Sequence, residues 1–69
     1  MMIDWKWLAE ESRVKRARLR LSVRDAAKQI GVSPATVSRY ENDRDLSAEN
    51  FMKVCHWLGI KAEEALLSS

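Results

Sequence analysis

Four helix-start signals are spaced along the chain and restrict it to a largely helical fold. Each has a polar N-cap residue, preceded by an apolar residue that can pack on another apolar residue five positions later, an arrangement called the hydrophobic staple. Asp25 adds a capping box to the second signal, and Pro34 occupies the first helical position of the third, where its missing N–H removes no hydrogen bond. The four N-cap residues are Asp4, Ser22, Ser33 and Ser47.

Apolar spacing supports helices behind these caps. The second and fourth helices have apolar residues at i, i+3, i+4 and i+7, which are Val23, Ala26, Ala27 and Ile30 in one and Phe51, Val54, Cys55 and Leu58 in the other. The first helix has two stripes, Trp7, Val14, Ala17 and Leu21 in one and Trp5, Leu8 and Leu19 in the other. The first helix is therefore expected to face two surfaces, its own core and a neighbour.

These signals predict an all-α, compact five-helix domain, with helices at about residues 5–20, 23–30, 34–42, 48–58 and 62–67. Gly31 supplies the tight corner after the second helix, and Gly59 ends the fourth. The chain has 69 residues, of which 46% are apolar and 32% charged, the balance of one globular domain over residues 1–69. A core of this size is marginal, so a second copy of the chain is expected to add stability.

Composition argues against several classes of protein. One cysteine allows no intrachain disulfide, and the acidic start and the lack of an apolar run of about 18 residues argue against a signal peptide and a membrane span. One histidine and one cysteine do not make a structural zinc site. Cys55 and His56 are adjacent on a helix and do not face each other, and no phosphate-binding glycine loop is present. We expect a cytoplasmic protein that is not an enzyme and needs no cofactor, metal or small-molecule ligand.

Charge is distributed unevenly along the chain. The net charge is only +2, yet residues 13–28 contain a basic run opposed by a single acid, whereas acids dominate residues 41–64. This asymmetry indicates a polyanionic partner on one side of the molecule. The alternative is that the charges only keep a small helical protein in solution.

The third helix has an outward face without large apolar groups. On a helical wheel, Val37 and Tyr40 point into the core, and the opposite face carries Ala35, Ser38, Arg39 and Asn42. Short side chains allow the helix to approach base edges, and an arginine can pair with guanine O6 and N7. An ordinary solvent-exposed face, which is also small and polar, is the alternative explanation.

The second helix, Gly31 and the third helix form a helix-turn-helix unit at about residues 22–42, in which Ala27 lies where the helices cross. With "LSVRDAAKQIGVSPATVSRYEN" followed by "FMKVCHWLGI", residues 16–60 resemble the phage-repressor and Xre-like (lambda repressor-like) helix-turn-helix domains. The resemblance implies a five-helix DNA-binding domain, often dimeric, whose third helix lies in the major groove of an operator half-site.

The resemblance also implies roles for individual residues. Arg16 and Glu41 correspond to a structural ion pair between the first and third helices. Val23 replaces a phosphate-binding glutamine of the family, so Arg24 and the backbone N–H groups of the helix start would hold that phosphate. The base-reading positions correspond to Ser33, Pro34, Ala35, Thr36, Ser38 and Arg39, and the phosphate-binding ones to Ser22, Arg24, Asn42 and Arg44.

We therefore expect a transcriptional repressor that binds double-stranded DNA at a palindromic operator as a homodimer. The candidate dimer surface comprises Trp57, Leu66 and Leu67, which could instead only close the core. The tryptophans could also stack on single-stranded bases, although core or interface positions are commoner for this residue. The alternative function is a protein-interaction module, such as an antitoxin-like or accessory subunit that binds its partner through the acidic second half.

Overall fold

The computed structural model describes residues 2–66 of the chain. Four α-helices follow one another, α1 (Trp5–Leu19), α2 (Val23–Ile30), α3 (Pro34–Tyr40) and α4 (Ala48–Leu58), and a 3₁₀ helix spans Ala62–Ala65. An isolated antiparallel bridge joins Ile3 to Leu66, and residues 2–66 contain no strand. The all-α prediction is confirmed. The prediction of five helices is approximately right, with the difference that the fifth segment is a 3₁₀ helix of four residues.

Side-chain caps begin the four α-helices at the predicted residues. The side chains of Asp4, Ser22, Ser33 and Ser47 each accept a hydrogen bond from the backbone N–H three residues later, at 3.0 to 3.2 Å. At Ser22 the serine half of the predicted capping box is formed. Within residues 2–66, no helix has the length and the apolar character that crossing a membrane would require.

Three helices end in a left-handed residue, and only two of these residues are glycines. Gly31 follows α2 with φ 92° and Gly59 follows α4 with φ 73°. Arg20 follows α1 with φ 56°, so α1 ends one residue earlier than predicted. For a residue with a Cβ atom, the left-handed conformation costs roughly 1–2 kcal/mol.

The third helix is two residues shorter than predicted. The N–H groups of Asn42 and Arg44 both donate to the carbonyl of Arg39, at 3.0 and 3.1 Å, and Asp43 between them has φ 64°. These bonds turn the chain out of the helix after Tyr40. The residues from Glu41 to Arg44 therefore form a turn that leads toward α4.

One apolar core lies between the helices. Trp5 of α1 packs edge-on against Phe51 of α4, with ring centroids 5.8 Å apart. Ala27 is 1% exposed, so this small side chain of α2 lies within the core. The buried apolar residues of the core cluster are Leu8, Ala26, Ala27, Ile30, Val37, Tyr40, Phe51, Val54, Cys55 and Ala65.

The inner face of α1 differs from the one predicted. Val14 and Leu19 are 54% and 47% exposed, and Ala17 is exposed as well, so the two predicted stripes are wrong at these positions. Leu8, Ala9 and Ser12 are the buried residues of the helix. Ser12 is polar and completely buried, so hydrophobic periodicity could not place this face.

A buried polar network explains why Ser12 faces inward. Its hydroxyl donates to Glu41 Oε2 at 3.1 Å and lies 2.5 Å from the hydroxyl of Tyr40. Because serine has a single O–H, Tyr40 must be the donor to Ser12. Burial raises the pKa of Tyr40 to about 12, which keeps the phenol protonated as this donor.

Arg16 joins the same network from the next turn of α1. Its Nε and Nη2 donate to the two oxygens of Glu41 at 2.9 and 2.8 Å, and its Nη1 donates to the carbonyl of Leu21 at 3.1 Å. The hydrogen bond that Arg16 donates to Glu41 raises the pKa of Arg16. Arg13 also donates to the backbone carbonyl of Glu41. The network therefore connects α1, the end of α3 and the turn that precedes α2.

Replacing Arg16 by alanine should destabilise the fold strongly, because it leaves the carboxylate of Glu41, only 7% exposed, without its charge partner. Breaking a buried pair in this way typically costs about 3 kcal/mol, which for a domain of this size lowers Tm by more than about 10 °C. Arg18→Ala, which removes an exposed arginine from the same helix, is the matched control. Equal melting temperatures for the two variants would contradict the structural role of Arg16.

Tyr40 is the only tyrosine, so its ionisation can be followed directly by the near-ultraviolet absorbance of the phenolate. We expect a midpoint near pH 12 in the folded protein and near pH 10 in urea. Because folding raises this pKa, the protonated phenol stabilises the folded state. This stabilisation is complete below about pH 10 and is lost as the pH rises through about 12. Indistinguishable midpoints in the two states would show that the phenol is not buried.

Candidate nucleic-acid interface

The outer surface of α3 is small, polar and cationic. Val37 and Tyr40 are buried, at 0% and 1% exposure, which confirms their predicted inward orientation. The exposed residues on the other side of the helix are Pro34, Ala35, Ser38 and Arg39. No hydrogen bond or ion pair engages the guanidinium of Arg39 within residues 2–66. A helix with this surface can enter a groove closely and still present a charged donor.

Two residues that were assigned to base reading make hydrogen bonds with each other at the start of α3. Ser33 Oγ accepts a hydrogen bond from the N–H of Thr36 at 3.1 Å, and the two hydroxyls lie 2.8 Å apart. Thr36 is only 8% exposed. The hydroxyl of Thr36 supports the helix N-terminus and its side chain is buried, so base reading by Thr36 stays a prediction. Ser33 remains exposed, with its oxygen committed to the cap.

Asn42 and Arg44 lie in the turn after α3. The Asn42 amide donates to the carbonyl of Ser38 at 2.7 Å, which fixes the side chain against the last turn of the helix. An amide nitrogen has two N–H groups, so one remains for an external acceptor. Arg44 is exposed, and its backbone N–H holds the turn while its guanidinium has no partner among the described residues.

A polar cleft lies between α3, this turn and the start of α4. Several residues of this cleft, in particular Asn50 in the first turn of α4, were not among the predicted site residues. The N-cap at Ser47 could have indicated these residues, because it predicted that a helix begins directly after the turn. The cleft is lined by Thr36, Ser38, Arg39, Asn42, Arg44, Asp45, Leu46, Ser47 and Asn50.

The start of α2 forms a second polar surface. Ser22 Oγ accepts from the N–H of Asp25 at 3.0 Å, which leaves its own O–H free to donate. Arg24 is exposed in the first turn, where the backbone N–H groups of Val23 and Arg24 have no hydrogen-bond partner among the described residues. A cationic side chain and free N–H groups together favour an anion at this position.

The proposed dimer residues occupy different environments. Trp57 is held within the fold, since its indole N–H donates to Gln29 Oε1 at 3.0 Å and Lys15 Nζ lies 4.6 Å from the ring centroid. Leu66 is half-buried at the bridge to Ile3 and lines a small apolar cleft. Leu67 lies outside the described residues. Trp57 and Leu66 thus have different partners within the described residues, and the three-residue dimer surface stays a prediction.

Residues that could support catalysis or metal binding have other roles. Cys55 is buried in the core, and burial raises the pKa of its thiol, which disfavours the reactive thiolate. Residues 2–66 contain no group of three or more histidine, cysteine, aspartate and glutamate side chains that could hold a metal ion.

Comparison with known proteins relates the chain to helix-turn-helix regulators. The profile of the helix-turn-helix family matches residues 8–64. The chain is also similar to the clp gene regulator ClgR from C. glutamicum in its crystal structure, with 27% sequence identity and a TM-score of 0.64. That similarity covers 94% of this chain and 86% of the regulator. The search of curated proteins gave no match.

Proposed function

The chain belongs to the Xre/lambda repressor-like helix-turn-helix family of DNA-binding transcriptional regulators, and from this premise we propose that it is a repressor that binds a palindromic operator as a homodimer. The observation that carries the proposal is the exposed surface of α3, where the guanidinium of Arg39 has no partner among residues 2–66 and Pro34, Ala35 and Ser38 leave room for base edges. In this family geometry, α3 enters the major groove and the rest of the domain contacts the backbone.

Base reading depends mainly on two side chains. Arg39 can donate both N–H groups of its planar fork to O6 and N7 of guanine, and Ser38 can donate or accept at a neighbouring base. Ala35 offers a methyl group to thymine. Since Ser33 and Thr36 are engaged in capping, few hydrogen-bonding side chains remain on α3. Most of the discrimination therefore falls on Arg39.

Backbone contacts flank α3 on two sides. On one side, Ser22, Arg24 and the free N–H groups of α2 suit a phosphate. On the other, Asn42 and Arg44 can each donate to a phosphate oxygen. Asp43 and Asp45 alternate with these donors and weaken the positive potential there. The α2 side is therefore the stronger backbone anchor.

The variant Arg39→Ala should distinguish a contact with the bases from a contact with the DNA phosphate backbone. A bidentate contact with guanine is worth about 1–3 kcal/mol of discrimination, so the variant should lose affinity for the preferred duplex and relax base preference at one position per half-site. Arg24→Ala is the matched control and should weaken preferred and scrambled duplexes alike, with a salt dependence flatter by about 0.9 in slope. The measurement is a set of binding isotherms for both duplexes at several salt concentrations, after selection of the preferred site from random DNA.

Two different outcomes would contradict this proposal. If Arg39→Ala weakens both duplexes equally, Arg39 contacts a phosphate and α3 is not the base-reading helix. If the wild-type protein binds preferred and scrambled duplexes alike, it is not a sequence-specific repressor.

The proposed dimer should appear in sedimentation as a species of twice the 8.0 kDa chain mass at micromolar concentration. The cleft at Leu66 is the better candidate surface, because Trp57 is bound within its own chain and the cleft is lined mainly by the apolar residues Ile3, Phe51, Ala62 and Leu66. Leu66→Glu should shift the protein to the monomer. Val14→Glu places the same charge on exposed α1 and should leave the dimer intact; the opposite result would move the interface to α1.

A further inference from the structure

The outer face of α1 is arranged symmetrically about Val14, a valine that is 54% exposed. Glu10 lies one helical turn before Val14 and Arg18 lies one turn after it, and both side chains are exposed. Ala17, which is also exposed, completes this face. We propose that the outer face of α1 pairs in antiparallel orientation with α1 of another copy of the chain and thereby joins neighbouring DNA-bound dimers. This inference rests on the proposed function and adds to it a contact between dimers.

The outer face of α1 points away from the base-reading helix. Ser12 of α1 is turned toward the end of α3, because its hydroxyl donates to Glu41 Oε2 at 3.1 Å. At 3.6 residues per turn, Val14 lies about 160° from Ser12 around the helix axis. A second copy that is bound at Val14 therefore leaves α3 free to enter the major groove. It also leaves the cleft at Leu66 free, since that cleft lies beside Ile3, before the other end of α1.

The two charges of this face are available to a partner. No hydrogen bond or ion pair engages the side chain of Glu10 or Arg18 in the part of the chain that the structure describes. Two other arginines of the same helix, Arg13 and Arg16, both bind Glu41 on the inner side. The helix therefore uses some of its arginines to hold its own fold and presents Arg18 to the outside.

A two-fold axis through Val14 brings opposite charges together. It places each residue of α1 opposite the residue that lies equally far on the other side of Val14 in the second copy. Glu10 then faces Arg18 of the second copy, and the reciprocal pair forms as well. A parallel arrangement would instead place Glu10 against Glu10 and Arg18 against Arg18, which is repulsive. Charge therefore selects the antiparallel pair, in which the exposed valine packs on its own copy and Ala17 lets the helices approach.

This face is too small to hold two copies together in free solution. An exposed valine, an alanine and two flanking charges bury far less than the roughly 1,200 Å² of a stable interface. Two dimers on neighbouring operators are held at a high local concentration, so a weak contact between them becomes effective. We expect a coupling of about tenfold in affinity, which lies within the usual range for cooperative sites.

The test uses duplexes that carry one copy of the selected operator or two copies, with the distance between the two centres varied over about two turns of DNA. At the favourable spacing, the second dimer should bind about tenfold more tightly than a dimer binds the single operator. Glu10→Arg and Arg18→Glu should each abolish this coupling, because like charges then meet. The double variant Glu10→Arg/Arg18→Glu restores opposite charges and should regain it.

Coupling is the ratio of the affinities for the two duplexes, so a general effect of charge on DNA binding cancels. Lys28→Glu is the matched control, because it changes the charge of an exposed α2 residue by the same amount as Arg18→Glu and should keep the coupling. All of these positions are exposed, so the Tm of each variant should stay within a few degrees of the wild-type value.

Three outcomes would overturn the pairing of α1. A wild-type protein that binds the single operator but shows no coupling at any spacing would refute this contact and leave the proposed function intact. A double variant that stays uncoupled would show that Glu10 and Arg18 do not face each other. A protein that binds no duplex would overturn both the contact and the proposed function.

Discussion

The carboxylate of Glu41 is buried at the end of α3, and the placement of the other helices follows from how its charge is compensated. Removing a carboxylate from water is costly unless charged partners and hydrogen-bond donors replace the water. Here the donors are Ser12 and Arg16 on α1, and Arg13 binds the carbonyl of the same residue. All three lie on one helix, so α1 must cross α3 at this point. Because Arg16 also binds the carbonyl of Leu21, the same interaction sets the beginning of α2.

Local features of this fold could be predicted from the residues themselves, whereas the one long-range contact that was predicted, the ion pair of Arg16 and Glu41, came from the family resemblance. The four N-caps and the bounds of α2 and α4 depend on residues within one or two turns, and the prediction placed them correctly. The inner face of α1 depends instead on Tyr40 and Glu41, which are far away in the sequence. Hydrophobic periodicity favoured Val14, which is exposed, over Ser12, which is buried because two distant polar groups need it.

A similar division applies to the candidate interface. The helical wheel separated Val37 and Tyr40 from Ser38 and Arg39 correctly, since burial of α3 follows its own periodicity. It could not show that the Thr36 hydroxyl turns back to Ser33, because the choice between a cap and an outside partner depends on the rotamer. Nor could it reveal that α1 ends in a left-handed arginine, since only the backbone conformation shows that a residue other than glycine occupies such a position.

The separation of the two faces of α3 has a consequence for how such proteins diversify. Everything that holds the helix in place lies on its inner side or at its ends, in Val37, Tyr40, Glu41 and the Ser33 cap. The exposed positions, Pro34 apart, contribute to none of these interactions, and surface substitutions of this kind usually change stability by less than about 0.5 kcal/mol. Mutations at Ala35, Ser38 and Arg39 can therefore accumulate without unfolding the domain. Duplicated copies of such a gene can drift to new target sequences while the scaffold stays the same.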